Sequence, residues 1–394
     1  MIGDRNRDMT GQPSKGNILF VSAMPASRSN AIGVLTLHFA EPFTPDWRHC
    51  YWDTSMGRST VPNSYCLNSR IPALWPFATG RGFLTRRIER SGLGWWKGDR
   101  LIESRKPQLR RLLPETRFVY VAPLRNSEAT KCREIVETMG CPFVVQIWDI
   151  CDEAMNADYA WLFSGSERVF CLSETMVDKV HQLARCETSI LRFTRTESRY
   201  KAEYSGPEKL VIGLVGFLSA YQDGLELLAE AIDCLQKQFA GVRIRYIGPI
   251  EQMSYIPQRL KQFTEFMGFH DQDGVDKVLA GCNAAYLPGP LRSPQSDLRS
   301  RHSIPSRSAD YMAAGLPIIA AVNSLSATSI LFSPIRDRGF FPVNDPASLC
   351  QAAQKLKDEE FWNEAARECD SFFLQNFDIR QAQDKLSAVA KPFL

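Results

Sequence analysis

Short apolar segments alternate with amphipathic helical segments in two successive series along this 394-residue chain. The first series starts at residues 17–23 and ends at 189–193, and the second starts at 210–215. A strand that is apolar along its whole length is typical of a parallel sheet covered on both faces. Because a helix follows most of these strands, we predict an α/β protein with two Rossmann-like domains.

The predicted domain bounds follow changes in composition. Residues 1–16 are charged and polar with no apolar core behind them, which predicts a disordered lead-in and not a signal peptide. The polar segment 194–209 predicts a boundary between a domain at 17–200 and a second at 208–370. We predict that residues 371–394 form a C-terminal helix.

Overall composition argues against several classes of protein. A net charge of +3 identifies no partner, and the chain has no apolar run long enough to span a membrane. Eleven cysteines, an odd number without CxxC spacing, argue against a disulfide framework and against a zinc site. The five histidines have no helical ligand spacing. We predict a cytoplasmic protein with free buried thiols and no metal or cofactor.

The most informative local pattern lies in residues 303–322. Ser306 stands at a helix N-cap position, Gly315 at the position after the C-cap, and Pro317 beyond it. The first-turn N–H groups of such a helix can bind a diphosphate, and Asp310 lies one turn in. The alternative is purely structural: Ser306 only caps the helix, and Asp310 pairs with Arg307 three residues earlier.

The segment PSRSADYMAAGLPIIA resembles P-S-K-x-x-E-Y-x-A-x-G-x-P-V-V-A of the retaining family 4 glycosyltransferases, the glycosyl transferases group 1. Residues 168–176, 210–216 and 339–349 resemble other segments of that family in the same order. The resemblance implies the GT-B architecture, in which two Rossmann-like domains face each other across a cleft. It makes the first domain the acceptor side and the second the nucleotide-sugar donor domain. The C-terminal helix would cross back to the first domain.

The resemblance also implies roles for individual residues. Asp310 matches the acid that holds the nucleotide ribose, and Arg307 matches a Lys position within the same binding segment as Pro305 and Ser306. His302 stands where the family has an earlier acid that contacts the donor sugar, with Arg301 beside it.

In the first half of the chain, Gly33 resembles a glycine near the donor phosphates. Asp149 matches the second residue of a His-Asp pair, which implies a role in orienting the acceptor. In this chain the first residue of that pair is Trp148 and not a histidine. The alternative for Asp149 is that it only caps the turn after its strand.

One departure from the family concerns charge. The family carries an Arg and a Lys on the loop after the first donor-domain strand, where they neutralise the leaving diphosphate. Here that loop begins Gly216-Phe217 and has neither base before residue 224. Because charge develops on the departing phosphate, fixed positive donors carry much of the catalysis. We hypothesise that arginines of segment 292–307, with Arg301 and Arg307 foremost, replace the missing pair. The alternative is that this segment is a solvated surface loop.

The predicted function is therefore transfer of a sugar from a nucleoside-diphosphate donor to an acceptor hydroxyl of a glycan, polysaccharide or lipid-linked sugar. Retention of anomeric configuration is implied by the resemblance. Two alternatives stay open: a catalytically silent GT-B protein that binds a nucleotide sugar or a partner protein, and another GT-B enzyme such as an epimerase.

Segment 81–117 holds eleven Lys and Arg against four Asp and Glu, with two tryptophans interleaved. It is typical of a solvated helical face, or of contact with an anionic membrane at its inner face, where a lipid-linked acceptor is presented. Nucleic-acid binding ranks lowest because no nucleic-acid motif accompanies the charge.

Overall fold

The computed structural model describes residues 17–24, 26, 31–44, 46–51, 64–66, 109, 115–150, 154–291 and 297–394. By internal contacts the chain divides into two compact units. The first unit contains residues 1–171, 177–191 and 382–394, and the second contains residues 172–176 and 192–381.

The described residues of the first unit form a seven-stranded parallel sheet in the order β3-β2-β1-β4-β5-β6-β7. Its strands are β1 (Asn17–Ser22), β2 (Trp47–Tyr51), β3 (Ser64–Cys66), β4 (Thr116–Ala122), β5 (Phe143–Ile147), β6 (Arg168–Cys171) and β7 (Thr188–Ile190). The helices along this part of the chain are α1 (Ala31–Ala40), α2 (Asn126–Met139), α3 (Ala157–Gly165) and α4 (Glu174–Leu183).

Local sequence signals start and end these helices. Gly140 ends α2 in the left-handed conformation, with φ of 63°, as the predicted stop requires. The side chain of Asn156 caps α3 by accepting a hydrogen bond from the Tyr159 N–H. Ser173 caps α4 by accepting from the Met176 N–H at 3.3 Å, which confirms the predicted N-cap.

The second unit contains a six-stranded parallel sheet in the order β10-β9-β8-β11-β12-β13. Its strands are β8 (Lys209–Val215), β9 (Gly241–Ile247), β10 (Thr264–Gly268), β11 (Ala284–Pro288), β12 (Ile318–Ala321) and β13 (Phe340–Val343). The helices along this part of the chain are α5 (Gln222–Gln238), α6 (Gln258–Lys261), α7 (Gln272–Ala280), α8 (Leu298–His302), α9 (Arg307–Ala313), α10 (Ala327–Leu331), α11 (Pro346–Lys355), α12 (Glu359–Asn376) and α13 (Ile379–Ala390).

This strand order is that of a dinucleotide-binding Rossmann fold, and it reverses direction between β8 and β11. Two apolar clusters form the core of the unit. One contains Ile212 and Leu228, and the other contains Leu279 and Met312. Ligands of such sheets bind where the order reverses, outside the carboxyl ends of the strands. In this unit that position lies at Gly216, after β8, and at Gly289, after β11.

Strand β13 was not predicted. It is a four-residue edge strand that contains Pro342, and proline lacks the N–H that a central strand must donate. The expectation that all cysteines are free thiols is wrong for one pair, because Cys234 of α5 and Cys350 of α11 form a disulfide. The other described cysteines with placed side chains are free.

Candidate functional site

Two tyrosine hydroxyls form hydrogen bonds with the main chain at the point where β8 passes into the loop that follows it. Gly216 has φ of 90°, a conformation that an L side chain rarely adopts. The Tyr246 hydroxyl donates to the Gly216 carbonyl at 3.0 Å, and the Val215 N–H donates to the Tyr311 hydroxyl at 2.9 Å. Burial raises the pKa of Tyr246 to about 12, so this hydroxyl stays protonated and can donate at neutral pH.

A side chain from the 3-10 helix Ile250–Tyr255 holds another part of the same segment. The Gln252 Oε1 atom accepts hydrogen bonds from the Leu218 N–H at 2.9 Å and from the Ser219 N–H at 3.1 Å. Phe217 between these anchors is 52% exposed. The loop is therefore held through its main-chain N–H groups, with the Leu218 side chain buried and the Phe217 side chain exposed.

Arg307 delivers a positive charge into this loop from helix α9. Its side chain is buried, and Nη2 donates to the Phe217 carbonyl at 2.9 Å. The guanidinium lies 4.4 Å from the centre of the Tyr221 ring and 3.9 Å from the position a Cβ of Gly216 would take. Among the residues that the structure describes, the buried Nη1 atom has no hydrogen-bond partner. A loop without a base of its own thus contacts a cation.

Helix α9 differs from the prediction at its start. Ser306 has helical backbone angles, with φ of −57° and ψ of −31°, and its side chain makes no capping hydrogen bond. Ser306 is thus the N-cap residue that the sequence predicts, but its side chain does not cap the helix. The N–H groups of Ser308 and Ala309 donate to the carbonyls of Pro305 and Ser306, at 3.0 and 3.1 Å. These two donors are therefore used within the first turn of the helix, and diphosphate binding at this helix start stays a prediction.

The end of α9 agrees with the prediction. Gly315 follows the C-cap with φ of 70°. Its N–H donates to the Met312 carbonyl, and the Leu316 N–H donates to the Tyr311 carbonyl. These two bonds form a Schellman motif.

Asp310 is engaged by a residue that the sequence did not point to. Arg195 is 3% exposed and donates from Nη1 to Asp310 Oδ1 at 2.9 Å. Gln272 Nε2 donates to the same oxygen at 3.1 Å. The Asp310–Arg307 pair offered as an alternative does not form. Arg195 lies in the segment expected to be a polar boundary, and no local pattern distinguishes a buried arginine there from an exposed one.

The environment of Asp310 leaves it able to accept a further hydrogen bond. Burial raises its pKa, and the nearby Arg195 charge opposes that rise. The side chain remains 24% exposed. A carboxylate held at one oxygen and partly exposed can accept from a ligand hydroxyl.

Arg301 and His302 end the short helix α8. The Thr175 hydroxyl donates to the Arg301 carbonyl at 2.8 Å, and the Ser173 hydroxyl donates to the His302 carbonyl at 2.7 Å. His302 is buried, whereas Arg301 is half-buried. Arg292 and the side chain of Arg299 lie outside the described part of the chain.

The remaining predicted residues belong to the first unit. Asp149 follows β5 and accepts a hydrogen bond from the Ile150 N–H through Oδ1 at 2.9 Å, and its role in orienting the acceptor stays a prediction. Gly33 lies within helix α1. The structure thus brings Gly216, Phe217 and Arg307 together. Segments 1–16 and 81–117 lie outside the described residues, except for 109 and 115–117.

The described residues contain no group of three or more His, Cys, Asp or Glu side chains that could hold a metal ion. None of their helices is both long and apolar enough to cross a membrane.

Residues 209–359 match the family model described as Glycosyl transferases group 1. The expected resemblance to the glycosyl transferases group 1 is therefore confirmed for most of the second unit. No curated protein matches the sequence.

Solved structures match nearly the whole chain. HepE of Anabaena in complex with UDP and glucose covers 96% of this chain and 100% of its own, at 13% identity and a TM-score of 0.66. Sucrose-phosphate synthase from Thermosynechococcus elongatus covers 96% and 99%, at 12% identity and 0.65. The trehalose-6-phosphate synthase OtsA covers 96% and 99%, at 10% identity and 0.67. At such identities the likeness shows the fold, and the predicted GT-B fold class is confirmed.

Proposed function

We propose that this protein is a glycosyltransferase that moves a sugar from a nucleoside-diphosphate donor to an acceptor hydroxyl. The family match over residues 209–359 supports sugar transfer. The similar HepE structures contain UDP, UDP-glucose, or UDP with glucose, which supports this class of donor. The observation that carries the proposal is the buried Arg307 guanidinium against the loop after β8, with Nη1 unpartnered among the described residues.

The chemistry explains why this cation matters. Transfer breaks the bond between the sugar and the diphosphate, and negative charge grows on the departing phosphate oxygens. A guanidinium binds such oxygens through charge-assisted hydrogen bonds. Arg307 also keeps the Phe217 carbonyl engaged, which directs that acceptor atom away from an incoming anion. We assign diphosphate binding to Arg307 with the backbone of Gly216 and Phe217, and donor hydroxyl binding to Asp310.

The finer assignments rest on the resemblance. We propose retention of configuration, acceptor orientation by Asp149, and donor-side contacts from Gly33, Arg301, His302, Pro305 and Ser306. No metal or organic cofactor is proposed, since arginine can neutralise the diphosphate. Contact of segment 81–117 with an anionic membrane is a further proposal, which co-sedimentation with anionic liposomes tests.

One sequence feature favours a second candidate, a nucleotide-sugar binding protein without transferase activity. Residues 217–223 contain neither Arg nor Lys. The two candidates share the donor site and differ in turnover. Donor hydrolysis, measured as nucleoside diphosphate released from each nucleotide sugar, separates them.

The deciding experiment is a thermal-shift screen of the full chain against UDP, GDP, ADP and their sugar derivatives. A ligand at about 100 times its dissociation constant stabilises the folded state by about 2.7 kcal/mol. We expect one nucleoside diphosphate and its sugar derivatives to raise the melting temperature. No shift with any of these compounds contradicts both candidates.

A further inference from the structure

Arg195 is a buried cation that forms the centre of a network in the second unit. Its Nη2 donates to both carboxylate oxygens of Asp276, at 2.8 and 2.6 Å, and its Nη1 donates to Asp310 Oδ1 at 2.9 Å. Its Nε donates to the Thr196 carbonyl at 3.0 Å. All three guanidinium nitrogens are therefore engaged, which a buried arginine needs in order to offset the loss of hydration.

The main chain of Arg195 is fixed as well. Its N–H donates to the Phe377 carbonyl at 3.0 Å, and its carbonyl accepts from the Ile379 N–H at 3.1 Å. These bonds form an isolated bridge with the segment that leads into α13. Because backbone and side chain are both held, the guanidinium has a defined position relative to α7 and α9.

The network leaves the two oxygens of Asp310 in different states. Oδ1 accepts from Arg195 and from Gln272. Within the described part of the chain Oδ2 accepts no hydrogen bond, and the side chain is 24% exposed. The carboxylate is thus oriented by one oxygen and available at the other.

We infer that Arg195 is a positioning residue of the donor site, which fixes the Asp310 carboxylate so that Oδ2 is presented to a hydroxyl of the nucleotide. This inference rests on the proposed function and adds a residue to it. Arg195 acts through Asp310 and touches no ligand itself. The same cation lies between two carboxylates, Asp276 and Asp310, which repel each other when both are ionised.

The charges around Asp310 define what removal of Arg195 would do. Arg195 approaches from the segment before β8, and Asp276 approaches from α7. On the side of α12, Asp370 lies beside Gly315 and is paired with Lys201. Tyr311, the next residue of α9, is neutral because burial raises its pKa. Arg195 is thus the cation bonded to Asp310, and without it burial and the neighbouring Asp276 charge would raise the pKa of Asp310 further.

The test measures the dissociation constant of UDP, GDP or ADP, whichever the wild-type chain binds, by calorimetry between about pH 6 and about pH 8. The wild type is expected to bind with little dependence on pH. Arg195→Gln is expected to bind about tenfold more weakly, because an ionic hydrogen bond to the ligand is lost or misdirected. Its affinity should improve as the pH rises, since Asp310 regains its charge.

Two further variants separate positioning from a merely structural role. Arg195→Lys keeps the charge, so binding should be weaker than wild type but without the new pH dependence. In the double variant Arg195→Gln/Asp276→Asn the like-charge repulsion is gone, so the pH dependence should disappear. Its affinity should stay below that of the wild type, because Arg195 no longer holds Asp310 Oδ1. Arg199→Gln is the matched control, because Arg199 is 72% exposed and pairs with Asp273 at the surface. It should bind as the wild type does.

The outcomes are distinct. If the wild type binds none of the three nucleotides, the proposed function fails and the role of Arg195 fails with it. If the wild type binds and Arg195→Gln keeps the same affinity and pH profile, only the inference about Arg195 is overturned. The inference is equally overturned if the double variant folds and binds as tightly as the wild type, because Asp310 would then need no positioning by Arg195. Should Arg195→Gln not fold, the Arg195→Lys and double variants still decide between these results.

Discussion

Arg307 shows how a single side chain can change the chemistry of a loop. It belongs to α9, yet its guanidinium contacts the Phe217 carbonyl and the Tyr221 ring of the loop after β8. A helix residue thereby brings to this loop the charge that the loop's own sequence lacks. Whether this charge supports turnover of the donor is what distinguishes the proposed transferase from the binding protein without transferase activity.

The first prediction concerns this charge. Arg307→Gln should lower donor turnover about 100-fold, the typical effect of losing one donor to a developing oxyanion. The turnover of Arg307→Lys should lie between those of the wild type and Arg307→Gln, since lysine keeps the charge without the planar guanidinium group. The readout is nucleoside diphosphate release, with Arg338→Gln as the control because Arg338 is an exposed arginine paired with Glu368. Unchanged turnover in both Arg307→Gln and Arg301→Gln would rule out replacement of the missing basic pair.

The second prediction concerns His49 in the first unit. His49 is fully buried, with Nε2 3.0 Å from the Ser22 hydroxyl oxygen. That hydroxyl donates to the Met24 carbonyl, so it accepts from His49 Nε2–H and the imidazole is neutral. His49 therefore cannot take a proton from Ser22 through this nitrogen, which makes the pair structural. Burial lowers the His49 pKa to about 3.

The sign of the pH effect follows from that lowered pKa. The unfolded chain binds a proton at His49 below its ordinary pKa of about 6.5, whereas the folded chain does not until about pH 3. Stability from this group is thus complete above about pH 6.5 and falls by about 1.4 kcal/mol per pH unit below it. Urea denaturation of the wild type and His49→Gln at several pH values measures this. The advantage of the wild type should shrink as the pH falls, and a constant difference contradicts the prediction.

At the scale of elements, the end of α9 fixes how the chain passes into β12. The Schellman motif at Gly315 ends the helix, and β12 begins at Ile318. The left-handed conformation at Gly315, with φ of 70°, makes this close connection. Because Arg307 and Asp310 both belong to α9, this turn helps to set the position of both side chains.

The third prediction tests that turn. Gly315→Ala should lower the free energy of unfolding by about 1–2 kcal/mol, since an L side chain is strained in the left-handed region. The new Cβ would also lie 3.4 Å from Asp370 Oδ1. Gly241→Ala is the control, because its Cβ would meet only Lys209 Cγ at 3.8 Å and its φ is not left-handed. Equal losses in the two variants would exclude backbone conformation as the cause.

Elements with strong local signals agree with the sequence, and weaker ones do not. The predicted ranges 126–139 and 174–183 are those of α2 and α4. Gly140 marks the end of α2, Ser173 marks the start of α4, and buried apolar positions recur along α2. The strand pattern of β13 is only four residues long and contains a proline, so its pairing with β12 is decided by the sheet it joins.

At the scale of the whole molecule, the Cys234–Cys350 disulfide is a covalent link between residues that lie far apart in the sequence. It joins α5 to α11, two helices that pack against each other, across a sequence separation of 116. Closing so long a loop restricts the unfolded chain far more than the folded one. We therefore expect the disulfide to stabilise the second unit as a whole and not only the two helices that it joins.

The fourth prediction follows from this constraint. Reductant should lower the free energy of unfolding of the second unit by about 2–5 kcal/mol, the usual range for a native disulfide. Chemical denaturation with and without reductant measures the change. The double variant Cys234→Ala/Cys350→Ala should not respond to reductant. A wild-type curve that is the same in both conditions would mean that the two thiols are not bonded in solution.

The sequence by itself determined the fold class, because the alternation of apolar strands with helices and the helix end signals are local properties of the chain. It also determined the segment 303–322 as the candidate binding region through its resemblance to a known family. Tertiary structure alone decided how the site is built. Arg195 meets Asp310 across 115 positions, and Arg307 meets Phe217 across 90. Contacts over such separations depend on the strand order of the sheet, which no local pattern of residues encodes.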